Sequence, residues 1–347
     1  MHIALTADPE LPVPPRHYGG IERIIDLLAR ELTRRGHVVT LFAHPESSTS
    51  AELIAWPGRS SRSRRDTVRN SACLLRHALR RRFDLIHSFS RVAYLLPLLP
   101  QPIPKLMSYQ RSIHPRSIQV GQALSRGTLQ FTALSRWMIE PVAPLGTWHL
   151  VPNGVELSAY PFKQAVGSEA PLVFLGRVEA IKGPHIAIEV ARRSGIPLVI
   201  AGNVPPDHVA WFDTHIRPQL DTSITYVGPV DDCQKAQLLG GARALLMPIL
   251  WEEPFGIVMA EAMACGTPVL GFARGAVPEV VEHGITGFVV ETVEQLVESV
   301  GRIEQLERLA CRQRVELHYS ESAITEAYLR VYSGLLLRSA SKTARTP

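Results

Sequence analysis

Residues 2–43 read HIALTADPELPVPPRHYGGIERIIDLLARELTRRGHVVTLFA. The first six, HIALTA, form a short apolar run of the kind that makes a buried strand. A loop with Pro9, Pro12, Pro14, Pro15, Gly19 and Gly20 follows. Ile21, Ile24, Ile25, Leu28 and Leu32 then fall at helical spacing, Gly36 closes the helix, and HVVTLFA is a second strand. Strand, helix, strand in this order predicts a parallel pair with a crossover helix. The rhythm continues through FDLIHSFS, PKLMSYQ and QFTALS, which read as later strands of the same sheet.

The segment VPNGVELSAYPFKQAVGSEAP, from Val151 to Pro171, breaks the rhythm with a turn at Asn153-Gly154 and a polar stretch. A second alternation starts after it. LVFLGRV, PLVIAGN, ITYVG, ARALLMP, TPVLGF and GFVVE are strand candidates. GPHIAIEVARRSG, DCQKAQLLGGA and FGIVMAEAMACG are helices between them. The expected architecture is α/β, with two Rossmann-like doubly wound domains. Residues 1–155 form the first, 156–169 a linker and 170–320 the second. A final helix over 321–338 packs back on the first, and 339–347 form a disordered tail. Two such domains are expected to face a central cleft at the carboxyl ends of their strands, where open α/β sheets bind ligands.

Size and composition agree. The chain has 347 residues, 46% apolar and 20% charged, enough for two cores. Cys73, Cys233, Cys265 and Cys311 make no C-x-x-C pair, which fits reduced thiols in a cytosol. MHIALTAD reads as a strand rather than a signal peptide, and no apolar run approaches a membrane span. The expected location is therefore cytoplasmic, with a peripheral contact at a membrane as its one extension. That extension rests on charge distribution. The net charge is +5, yet nine arginines lie between Arg59 and Arg82 against Asp66 alone. The run suits an anionic membrane or an acidic acceptor, set against an ordinary solvated face. It lacks the interleaved aromatics that nucleic-acid stacking needs, so no nucleic-acid partner is expected.

Chemistry concentrates in two stretches of the second half. In FLGRVEAIKGP, a strand delivers Gly176 and Arg177 to its carboxyl end, and Lys182 stands at the mouth of the next helix. Two cations beside a glycine turn suit a diphosphate. In LWEEPFGIVMAEAMACG, Pro254 stands at or before a helix start and Gly256 permits close backbone approach. The helix is expected from Phe255 to Ala264, and its first N–H groups favour an anion. Glu253 precedes it. Glu261 lies inside it among apolar neighbours, with no basic residue within a turn. It therefore either accepts hydrogen bonds from ligand hydroxyls, or faces solvent or a distant cation. Glu252 is expected to be solvated.

EPFGIVMAEAMACGTPV, preceded by GRVEAIKG and followed by GAVPEVVEHGITGFVV, resembles family-4 retaining glycosyltransferases of the GT-B fold. VPNGVE and YGGIER also look like that family's pattern, and the likeness is strongest from Leu172 to Val290. The resemblance implies a nucleotide-diphosphate sugar as substrate, a hydroxyl acceptor, no cofactor and no metal. Gly19 and Gly20 would approach the diphosphate and sugar. Arg177 and Lys182 would stabilise the leaving diphosphate, and Glu253 would hold hydroxyls of the transferred sugar. The backbone of Phe255, Gly256, Ile257 and Val258 would meet sugar and phosphate. Glu261 would take the ribose hydroxyls, and the turn near Val230 would lie against the base. On the acceptor side the family often carries a histidine where this chain has Gln110, with His114 four residues later. His87 ends another strand, and the family's second histidine is replaced by Phe89. The alternatives weighed are a nucleotide-sugar epimerase, a phosphorylase and a non-catalytic nucleotide-sugar binding protein. An epimerase needs further acid–base carboxylates, and a pyridoxal-dependent phosphorylase needs a dedicated lysine and a longer chain.

Overall fold

A computed structural model describes residues 1–16 and 19–343. Tyr18 of the YGGIER stretch and residues 344–347 of the expected tail lie outside them. The chain forms two compact units, 1–153 together with the segment from 321 onward, and 154–320.

The first unit is built on β1 (His2–Thr6), β2 (Val38–Ala43), β3 (Glu52–Ala55), β4 (Leu85–Ser88), β5 (Lys105–Tyr109), β6 (Leu129–Ala133) and β7 (Trp148–Leu150). They form one parallel sheet in the order β3-β2-β1-β4-β5-β6-β7. Sheets covered on both faces need apolar residues at consecutive positions, and Ile3, Ala4 and Leu5 are all fully buried. The helix Gly20–Arg34 buries Ile24, Ile25, Leu28 and Leu32, the stripe its spacing predicts. Phe42, Trp56, Leu74, Tyr94 and Phe131 fill a core on this unit. β3 and β7 are not expected from the sequence. They are short edge strands whose residues are all half-exposed or exposed.

The second unit holds β8 (Leu172–Leu175), β9 (Leu198–Ala201), β10 (Ile224–Gly228), β11 (Ala244–Met247), β12 (Val269–Phe272) and β13 (Gly287–Val290). Their order, β10-β9-β8-β11-β12-β13, is again all parallel. Every one of these strands is among those read from the sequence. In both sheets the winding direction reverses once, between β1 and β4 and between β8 and β11, and each reversal leaves a crevice at the strand ends.

The last helix, Glu321–Thr343, extends five residues past its expected end at 338. It groups with the first unit, where Arg35 pairs with Glu326 and donates to Ser322 Oγ at 3.0 Å. Its Tyr332 hydroxyl lies 2.6 Å from His87 Nδ1, while His87 Nε2 lies 2.7 Å from Ser108 Oγ. Ser108 Oγ continues to Thr132 Oγ1 at 2.5 Å. His87, Tyr332 and Tyr328 are fully buried, so one hydrogen-bonded chain ties the helix to β4, β5 and β6. His87, the acceptor-side candidate, is thus an interior residue of the first unit. A histidine closing a strand in a covered sheet points into the packing rather than into solvent.

Burial drives the His87 pKa from its ordinary 6.5 down to about 3. Between these values the unfolded chain holds a proton that the folded chain excludes, so stability falls as pH drops through this window. Urea titrations from pH 7 to about pH 4 are expected to show a loss on the order of a few kcal/mol that His87→Gln largely removes. Equal pH slopes for both proteins would contradict this.

Candidate active site

The second sheet reverses between β8 and β11, and the two predicted stretches leave from these neighbours. After β8 the chain runs through Gly176 and Arg177 to a single turn at Ala180–Lys182. After β11 it runs through Trp251, Glu253 and Pro254 to the helix Ile257–Ala264. The backbone N–H of Leu250 donates to Ile181 O at 2.8 Å, which stitches the two loops together. Lys182 Nζ then sits 2.5 Å from Glu253 Oε2 and 4.5 Å from the centre of the Trp251 ring. Trp251 Nε1 donates to the same carboxylate oxygen at 3.1 Å. Glu253 is only 8% exposed, a burial that a charge tolerates when it is paired in this way.

The backbone is shaped around this carboxylate. Ala276 N donates to Glu253 O at 2.8 Å, and Gly275 N donates to the Glu252 carboxylate. A Cβ on Gly275, at φ +54°, would lie 2.3 Å from Glu253 N and 2.4 Å from Glu253 O, so only glycine fits. Glu252 remains exposed, as expected, but it caps this turn as well. Gly256, at φ +74°, is the residue before the helix, which begins two residues later than the expected Phe255. Phe255 is 2% exposed and packs edge-on against Tyr319, so its ring anchors the loop and only its backbone is near the helix start.

Arg177 faces a partner that the sequence reading did not weigh. Its Nη2 lies 2.8 Å from Glu179 Oε1, and His208 Nε2 lies 3.4 Å from the other oxygen of Glu179, which is 3% exposed. The Arg177–Glu179 contact is an ion pair without hydrogen-bond alignment. The buried carboxylate attracts the guanidinium by charge alone, near the end of β8.

Glu261 is 7% exposed, and of the two sequence readings the distant cation is present. Lys235 Nζ lies 2.5 Å from Glu261 Oε1, and the Tyr160 hydroxyl donates to the same oxygen at 2.6 Å. Lys235 also lies 3.3 Å from Asp232. Both the Lys235 and the Tyr160 contacts fall on Oε1 and leave the second oxygen, Oε2, to one side. Lys235 stands on the helix Asp232–Gly241, whose start is fixed by a reciprocal Asp231–Gln234 cap. Val230, half-buried, lies just ahead of that cap.

Family models match nearly end to end: "Glycosyltransferase Family 4" over residues 18–159 and "Glycosyl transferases group 1" over 160–317. The chain belongs to the family-4 glycosyltransferases and has the GT-B fold. It is similar to Spore coat protein SA of Bacillus subtilis, at 25% identity over 96% of this chain and 99% of that protein. It is also similar to D-inositol 3-phosphate glycosyltransferase of Mycobacterium bovis, at 32% identity, though over only 35% of this chain and 26% of that protein. Among solved structures, Anabaena HepE in complex with UDP and glucose matches 96% of this chain and all of its own at a TM-score of 0.71 and 18% identity, a likeness of fold.

The remaining candidates of this glycosyltransferase lie on the first unit. Gly19 and Gly20 open the helix Gly20–Arg34 after the β1 loop. A Cβ on Gly19 would come within 2.8 Å of Glu22 Oε2. Gln110 is half-buried at the end of β5, and its Nε2 is buried without a hydrogen-bond partner. His114 is exposed at the start of the helix Pro115–Ser125. The sequence reading missed Asp8, which follows β1 at the reversal of the first sheet. Burial pushes its carboxyl up to about 6, Glu10 adds to the rise, and Arg111 and Arg91 oppose it. Its Oδ1 has no hydrogen-bond partner. An aspartate after a strand carries no periodic signal, and only the fold reveals its surroundings.

Proposed function

We propose that this glycosyltransferase moves a sugar, with retention of anomeric configuration, from a nucleoside-diphosphate sugar to an acceptor hydroxyl, without a metal ion. The observation that carries the reading is the Lys182–Glu253 ion pair, formed where the loops after the neighbouring strands β8 and β11 are joined, with Arg177 following β8 and the helix Ile257–Ala264 following β11. Arg177, Lys182 and the first free N–H groups of the helix offer positive charge to a diphosphate. Glu253, already held by Lys182 and Trp251, accepts hydroxyls of the sugar. Glu261 keeps Oε2 for the ribose hydroxyls while Lys235 and Tyr160 hold Oε1. A fold neighbour bound to UDP supports a nucleoside diphosphate as the leaving group.

In this reading the bond from the anomeric carbon to the diphosphate oxygen breaks first. The acceptor oxygen then bonds to the same face, and its proton passes to the departing phosphate oxygen. The cations lower the energy of the charge that develops on that oxygen, which is the largest single term such sites supply. No protein nucleophile takes part, so Glu253 and Glu261 need not face each other across the scissile bond as glycosidase carboxylates do.

The test is a thermal-shift screen of uridine, guanosine and adenosine diphosphates in chelator. At least one is expected to raise the melting temperature by several degrees, about the effect of ligand at 100 times its Kd. No shift with any of them, or a shift only on adding divalent metal, would overturn the donor assignment. Proton NMR of the product's anomeric centre distinguishes retention from inversion.

A further inference from the structure

Five of the nine arginines of the run lie on the helix Arg64–Arg80, and four of these share its outward face. The helix Arg64–Arg80 starts at Ser63, whose side chain accepts from Asp66 N, and it buries Asn70, Ser71, Leu74 and Ala78 against the first unit. Positions 65, 68, 69, 72, 76, 79 and 80 recur at three- and four-residue spacing and are all exposed. Arg65, Arg69, Arg76 and Arg80 lie along one edge of this outward stripe. Val68 and Leu79, at 68% and 67% exposure, lie with Ala72 along the other. Single exposed aliphatic side chains occur elsewhere on this surface, as at Leu317 and Leu337, but here two align beside four arginines on one helix face.

No acid answers these cations on the same stripe. Asp66 points toward the preceding loop, where Arg59 N and Ser60 N both donate to it, and it reaches Arg69 only at 4.0 Å. Glu52 is paired with Arg81 on the other side. Among the described residues no helix is long and apolar enough to cross a membrane.

We propose that the outer face of helix Arg64–Arg80 docks this glycosyltransferase on an anionic lipid bilayer. The helix lies flat, with Val68, Ala72 and Leu79 entering the headgroup boundary and the four arginines meeting lipid phosphates. The apolar row is what selects a bilayer over an acidic protein or a nucleic acid. Those partners would use the arginines, but they give no return for two solvent-facing aliphatic side chains beside them. The arrangement needs both components, because either a few cations or two aliphatic side chains alone binds a bilayer weakly and reversibly.

The experiment is co-flotation of the full chain with vesicles of phosphatidylcholine containing roughly 30% phosphatidylglycerol, and with phosphatidylcholine alone. The chain is expected to float with the anionic vesicles only and to be released by salt at about 0.5 M. Arg65→Glu with Arg69→Glu and Arg76→Glu, and separately Val68→Asp with Leu79→Asp, are each expected to lower the partition coefficient at least roughly tenfold. These side chains are exposed, so both variants are expected to keep the melting temperature of the parent, and that measurement separates docking from misfolding. Three results overturn the proposal: no flotation, equal flotation with neutral vesicles, or full flotation of the Val68/Leu79 variant. Retention on heparin or RNA by a chain that does not float assigns the face to an acidic macromolecule instead.

Discussion

Replacing Lys182 with methionine is expected to lower kcat roughly 100- to 1,000-fold while changing the donor KM much less. The ammonium acts on charge that grows as the diphosphate leaves, and removing one pre-placed donor from such a site has that order of effect. The structure adds a second consequence. Glu253 is buried and shares Lys182 with Trp251. Without the lysine its charge keeps fewer partners, at a cost of about 1–3 kcal/mol in stability. Lys182→Met with Glu253→Gln is expected to regain most of that stability but none of the rate. Steady-state kinetics together with urea unfolding reads both quantities. A single variant with kcat within threefold of the parent would remove Lys182 from the chemistry.

Glu261→Ala is expected to weaken binding of the nucleoside diphosphate about 10- to 100-fold, the worth of one or two hydrogen bonds to a charged acceptor. Transfer at saturating donor changes little, because the ribose does not react. The pairing on Oε1 sharpens the prediction. Lys235→Met removes one of the two donors that orient the carboxylate and leaves Tyr160 in place. Its effect is expected to be smaller than that of Glu261→Ala and to vanish in the Glu261→Ala background, which a double-mutant cycle by calorimetry measures. Unchanged affinity in Glu261→Ala would reduce the carboxylate to an internal brace for two helices.

The fold was legible wherever local pattern and tertiary burial agree. HIALTA, LVFLGRV and ARALLMP are strands buried on both faces, and a run of apolar residues is the direct consequence. Glu52–Ala55 and Trp148–Leu150 escaped because they are only four and three residues long and bury none of them, whereas the edge strands Ile224–Gly228 and Gly287–Val290 bury apolar residues and were legible. The same division holds in the site. Arg177, Lys182, Glu253 and Glu261 stand out as charges next to glycine turns or inside an apolar helix. Their partners do not. Lys235 and Tyr160 lie 26 and 101 positions from Glu261, and nothing in either segment points to the other. His87 is a further case: its strand-end position drew attention, but its partner Tyr332, 245 positions away, left no sign in the sequence.

The final helix belongs to the first unit, although the whole second unit intervenes in sequence. Where the chain enters and leaves the second unit, Val155 N donates to Tyr319 O at 2.8 Å, and Val155 bridges Ser320. The proposed nucleotide-binding half is therefore an insertion whose two ends are already joined by backbone hydrogen bonds. In the gene it is one continuous block, 154–320, whose two junctions lie side by side in the fold. Shortening the chain from its carboxyl terminus, by contrast, strips a wall from the half encoded at the opposite end of the gene.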